Sequence, residues 1–175
     1  AGCHDALAGG ADWTTTCNTC HGSTANAAPP RDTSGGTATT PLGVGAHQAH
    51  VTGTKVRAAA LACTECHPTV NAATHPDGVL SVKFGPLAVT AGAAATFKRA
   101  SLTCASTYCH GATLAGGTAV EPLWTKVDGT QSACTSCHGI PPPSTAHAGM
   151  TAATNCGSCH TGYTATAVDP AHHLD

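Results

Sequence analysis

Aromatic side chains are nearly absent from this chain, at 3% of 175 residues, and charged side chains reach only 9%. That scarcity excludes a domain folded around an ordinary aliphatic and aromatic core. Taken alone it indicates weak burial and little regular structure, with Ala, Thr, Gly and Pro filling much of the remainder. Lys and Arg total 7 without clustering, and the formal net charge is −2, so there is no basic footprint for a nucleic acid or an anionic membrane surface. No apolar run approaches the ~20 residues that span a bilayer. No secretory leader pattern is present either, which reads as a soluble chain or a processed mature form. The single methionine, Met150, reads as a gap filler rather than a ligand.

What the chain has instead is sulfur and imidazole, with 11 Cys and 12 His. Thiols at this density mean metal binding in a reducing compartment or a disulfide scaffold in an oxidising one, and spacing decides between them. Four segments read Cys-x-x-Cys-His: Cys17-Cys20-His21, Cys63-Cys66-His67, Cys134-Cys137-His138 and Cys156-Cys159-His160. This is the attachment signature of c-type haem. Two thiols about one helical turn apart can each form a thioether to a haem vinyl group, and the adjacent His reaches the iron as its proximal ligand. A fifth segment, Cys104 to His110, places four residues between its thiols, Cys104 and Cys109. A looped-out backbone accommodates them and keeps Cys109 and His110 adjacent. The competing reading is a zinc or disulfide module, but a zinc site needs pairs combined into closed tetrahedral sets, whereas here every pair runs directly into a His.

The odd cysteine, Cys3, also precedes a histidine, His4, as if it were the rear half of a sixth motif. An internal repeat supports this. Cys3-His4, Leu7-Ala8-Gly9-Gly10, Trp13 and Cys17-x-x-Cys20-His21-Gly22 recur as Cys109-His110, Leu114-Ala115-Gly116-Gly117, Trp124 and Cys134-x-x-Cys137-His138-Gly139. Each copy continues through a proline pair or run, further histidines and a last Cys-x-x-Cys-His. The chain therefore divides into two tandem three-haem units, 1–103 and 104–175. In the first, either the chain begins inside its opening motif or one thioether suffices; a free or intermolecular thiol is the other reading of Cys3.

Six proximal ligands (His4, His21, His67, His110, His138 and His160) leave six distal candidates: His47, His50, His75, His147, His172 and His173. Twelve histidines fill twelve axial positions on six haems c, with five haems as the minimum. With imidazole on both faces of every iron no site is open to substrate, and the available chemistry is one-electron transfer by a carrier rather than an enzyme. His47 and His50 lie three apart, so on a short helix they can serve two adjacent haems. His172 and His173 are consecutive and point in different directions, so at most one serves a nearby haem of its own unit.

The fold expected is mostly irregular. At roughly 29 residues per haem the porphyrins replace the missing apolar core. Short helical turns sit at the haem motifs, joined by long Gly-, Pro- and Thr-rich loops. One small β-hairpin is expected, from Gly78–Phe84 paired with 93–98; a short helix or an unstructured linker over 88–100 is the alternative. Thin wrapping brings neighbouring haems close, so they form a closely packed array.

These residues resemble the multihaem c-type cytochromes of metal-reducing bacteria that mix Cys-x-x-Cys-His with Cys-x-x-x-x-Cys-His. The most specific elements are 45–50, His75-Pro76-Asp77-Gly78, Tyr108-Cys109-His110-Gly111 and 137–142. The resemblance implies bis-histidine haems and export, with the cell surface or extracellular space as location and the periplasm as second choice. It further implies an electron conduit handing electrons to other redox proteins or external acceptors. Some such cytochromes are filament subunits, a homopolymer in which a histidine of one subunit ligates a haem of the next. The enzymatic alternative is a multihaem reductase of a small oxyanion with one open iron.

Overall fold

A chain rich in Gly, Pro and Thr bends often, and its backbone groups pair within turns rather than along ladders. The computed structural model describes residues 28–29, 31–32, 36–69, 79–151 and 154–174. Cys3, His4, Cys17, Cys20, His21 and His75 lie outside these residues. Among the described residues there are two short helices, α1 (His47–Thr52) and α2 (Pro170–His173), isolated 3₁₀ turns and one antiparallel pair of strands. No helix there is long and apolar enough to cross a membrane.

Neither helix is stable by itself, since isolated helices shorter than about 12 residues are marginal in water. Helix α1 has no side-chain cap and no buried residue. It is held from outside, in part by Gln48, whose Nε2 donates to the Ala28 carbonyl at 2.8 Å. Helix α2 has a proper start: Asp169 accepts from the Ala171 N–H at 3.0 Å, and Pro170 takes the first helical position.

Strands β1 (Thr96–Lys98) and β2 (Thr103–Ala105) pair with Phe97 opposite Cys104. Lys98 Nζ and Thr103 Oγ1 both donate to Glu121, at 2.8 and 2.7 Å. A hairpin was expected here, but with a different partner. The chain over 79–84 is extended and alternates outward and half-buried residues, yet it forms no strand. Its polar backbone groups go to the turn at Cys63–His67 instead: Lys83 N–H donates to the Cys66 carbonyl and Gly85 N–H to the Glu65 carbonyl. The described stretch 79–84 is not paired with 93–98, and β1 takes Thr103–Ala105.

The buried apolar residues among those described are Ala28, Val44, Ala88 and Ala105, and the largest completely buried side chain is Ser136. Burial of a large aliphatic side chain contributes about 1.5 to 3 kcal/mol, and this set includes no Leu, Ile or Phe. Met150, read from sequence as a gap filler, is exposed. The described residues by themselves do not supply the apolar mass of a domain core.

Candidate haem-binding sites

Two of the described Cys-x-x-Cys-His motifs are shaped as closed turns. His67 N–H donates to the Cys63 carbonyl at 2.9 Å, and His160 N–H to the Cys156 carbonyl at 2.8 Å, so the second Cys and the His are brought back over the first Cys. The wider motif reaches the same end differently. Cys104 sits on β2, the chain leaves the strand through Ser106 at φ 54°, and a 3₁₀ turn at Tyr108–His110 returns it. The two additional residues are absorbed in that bend, where Thr107 is buried. None of the eight described cysteines is in a disulfide, and their sulfurs stand where thioether sulfurs would be.

Four pairs of imidazoles face one another, each joining a motif histidine to one of the remaining histidines. His67 faces His47, His110 faces His50, His138 faces His173 and His160 faces His147, every pair with ring centroids 6.1 Å apart. Two imidazoles ligating one metal from opposite sides, with bonds of about 2 Å and each centroid about 1 Å behind its nitrogen, lie about 6 Å apart. The pairs therefore fit an iron between them. The ring planes differ: 18° apart for His47 and His67, 76° for His50 and His110, 48° and 50° for the other two.

Hydrogen bonds fix which nitrogen is available. Nδ1 of His47, His50, His67, His138 and His147 lies 2.7 to 2.9 Å from the carbonyls of Val44, Ala46, Ser81, Gly139 and Pro142 respectively. A carbonyl only accepts, so Nδ1 carries the proton and Nε2 presents its lone pair, the arrangement by which proteins orient metal-binding imidazoles. His172 is held in the same way, by Asp169 Oδ2 at 2.8 Å.

The surroundings suit neutral groups. Burial, with the Cys104 and Cys109 thiols beside it, pushes the Cys66 thiol up to about 12. Burial likewise raises Cys104, Cys109 and Cys137. Burial and the neighbouring His50 lower His110 to about 4, and burial with His138 nearby lowers His173. A metal-ligating imidazole has to be neutral. An apolar cleft takes His47, His67, Cys66 and Cys104 into one wall set with Leu80, Val82, Phe84 and Phe97. The alternating face of 79–84 thus lines a slot with two imidazole rings and motif thiols, the elements a porphyrin site needs.

The sites also adjoin one another. Cys66 lies beside Cys104 and Cys109, and Cys137 Sγ is 3.8 Å from the Cys109 carbonyl. At Gly111, φ +82°, a Cβ would sit 2.0 Å from the Cys137 carbonyl oxygen. Among the described residues no three Cys, His, Asp or Glu side chains gather as a closed metal site would require, so the arrangement is one of facing pairs. Sequence reasoning missed two aromatic residues in this setting, Trp124 and Tyr163. The recurrence of Trp13 as Trp124 beside a motif was the available signal for the first.

Thiol turns running into facing, Nε2-presenting imidazole pairs are the elements a c-type haem site needs. Residues 103–138, which take in the motifs Cys104–His110 and Cys134–His138, match the family model described as the Geobacter CxxxxCH...CXXCH motif. The match covers these 36 residues of the chain, and in them it pairs one Cys-x-x-x-x-Cys-His with one Cys-x-x-Cys-His, the two motif types on which the resemblance to multihaem c-type cytochromes rests. No curated protein and no solved structure matches the chain.

Proposed function

We propose that this chain is an electron carrier holding six bis-histidine haems c in two tandem units, 1–103 and 104–175, and that it works outside the inner membrane as a conduit to external acceptors. The observation that carries this reading is the set of four facing imidazole pairs, each with one ring from a Cys-His motif. Haem supplies one-electron exchange between ferrous and ferric iron. The chain's own residues do the rest. Cys63, Cys66, Cys104, Cys109, Cys134, Cys137, Cys156 and Cys159 tether the rings. His47 and His67, His50 and His110, His173 and His138, and His147 and His160 close the irons. Backbone carbonyls orient the rings of His47, His50, His67, His138 and His147.

The contacts between sites support an order of travel that follows the sequence. The Cys66 thiol beside Cys104 and Cys109 connects the His67 site to the His110 site. The Cys109 to Cys137 approach connects the His110 site to the His138 site. Tyr163, in ring contact with both His160 and His173, connects the last two. The remaining two haems are assigned to Cys3-His4 and Cys17-Cys20-His21. The finer reading, a subunit of an extracellular cytochrome filament, rests on the high haem density together with the resemblance to filament-forming relatives.

The intact mass of the denatured protein tests the count: six covalent haems are expected, with Cys3 carrying one. Five would place Cys3 outside the haem set, and none would refute the reading. The oxidised protein is expected to be wholly low-spin, and a high-spin component would point to an open iron. Electron microscopy of the native preparation tests the filament.

A further inference from the structure

With six aromatic residues in the chain, each large ring has a place to account for, and two of them touch histidines of two different sites. Trp124 lies edge-on to His47, at 4.8 Å and 90°, and stacked on His50, at 5.6 Å and 26°. These two histidines face different motif histidines, His67 and His110. Tyr163 is 5.8 Å from His160 and 6.0 Å from His173, which again face different partners, His147 and His138.

Trp124 is anchored from several directions. Its backbone N–H donates to the Leu102 carbonyl at 2.8 Å, and its Nε1–H donates to the Leu42 carbonyl at 2.9 Å. Leu123 next to it is held by Gln131, which accepts from the Leu123 N–H and donates to the Leu123 carbonyl. Gly45 makes room for the ring: a Cβ there would lie 1.9 Å from Trp124 Nε1. A side chain so fixed imposes its plane on whatever packs against it, and rotation of an imidazole about the axis through its Nδ1 bond is the freedom it removes.

We propose that Trp124 is a positioning residue shared by two haem sites, setting the axial imidazole planes of His47 and His50, and that Tyr163 occupies the equivalent place between the other two described sites. The inference rests on the iron ligation proposed above. It fixes one ring in each of two contrasting pairs, near-parallel at His47 and His67, 18°, and crossed at His50 and His110, 76°. An edge contact on one imidazole and a face contact on its neighbour three residues later force their planes apart. Parallel and crossed axial imidazoles split the iron d orbitals differently, so low-spin ferric irons of the two kinds give distinct electron-paramagnetic signals.

The experiment is electron-paramagnetic spectroscopy of the oxidised holoprotein, compared with W124L, W124F and Y163L after haem counting by intact mass. The wild type is expected to show both a crossed-ligand and a parallel-ligand low-spin component. W124L should shift one component of each kind and leave the rest in place, while Y163L shifts a different two. In W124F an aromatic ring remains without its bond to Leu42, so the same two components as in W124L should broaden. A wild-type spectrum in W124L, or a shift confined to one component, overturns the shared role of Trp124. If W124L fails to assemble, sharp wild-type components in W124F overturn it. A wild type lacking bis-imidazole low-spin iron altogether overturns the ligation on which the inference stands.

Discussion

On the proposed pairing and six-haem count, replacing His50 by alanine opens one iron. The His50 ring faces His110 with centroids 6.1 Å apart, and its Nδ1 is committed to the Ala46 carbonyl. The nearby Trp124 offers no substitute ligand, because an indole N–H donates and does not bind metal. Helix α1 should survive, since alanine is the better helix former by about 0.7 kcal/mol or less. The expected loss is therefore confined to the haem of Cys104, Cys109 and His110. About one sixth of the low-spin intensity should convert to high-spin, one haem in six, with the covalent haem count unchanged. H47A should open a different single haem, that of Cys63, Cys66 and His67. Exogenous imidazole should refill either site and restore the low-spin spectrum. The assay is room-temperature absorption and electron-paramagnetic resonance on matched haem concentrations. A fully low-spin H50A protein would refute the pairing, and so would conversion of two haem equivalents.

Three further outcomes follow from packing and charge. In G45A the new Cβ stands 1.9 Å from Trp124 Nε1 at a residue with φ +42°; losing the bond to Leu42 and straining the backbone together cost about 2 to 3 kcal/mol, visible as a lower thermal midpoint of the holoprotein. G111A places a Cβ 2.0 Å from a backbone oxygen of Cys137 at φ +82°, where no flexible side chain can yield, so the yield of holoprotein should fall sharply when measured by haem stain against total protein. Hydrogen bonds from Lys98 and then Thr103 hold the Glu121 carboxyl below its ordinary range. A depressed carboxylate contributes above its unfolded value, about 4.3, and loses that contribution as pH falls through the folded value. E121Q should accordingly flatten the acid limb of the thermal midpoint measured between about pH 6 and about pH 3, and an unchanged limb would count against the contact.

What the sequence made legible was chemistry and local shape. The motif turns are readable because Cys, Cys and His at fixed spacing can meet only if the chain closes on itself. The common helix of His47 and His50 is readable from their separation. Their opposite rings, His67 and His110, are not, because no local rule joins residues so far apart. The alternation over 79–84 is also visible, but its meaning depends on a partner, and the partner is the Cys63–His67 turn rather than another strand. Helix α2 could have been anticipated from Asp169 followed by Pro170. The role of Trp124 depends on residues from three distant stretches, Leu42 to His50, Leu102 and Gln131, and only the folded chain brings them together.

On the proposed pairing, each iron acts as a cross-link, and the order of the links along the chain differs between the halves. The link from His147 to His160 lies wholly inside the link from His138 to His173, so the inner loop can close first and the outer can follow without disturbing it. The links from His47 to His67 and from His50 to His110 interlock instead, each loop containing one end of the other. The second of these closes a loop of about 60 residues, and loop closure costs more entropy as loops lengthen. The C-terminal half should thus close from the inside outward as the chain emerges, whereas of the two links anchored on α1 the one from His47 to His67 can close early and the one from His50 waits until His110 has been made.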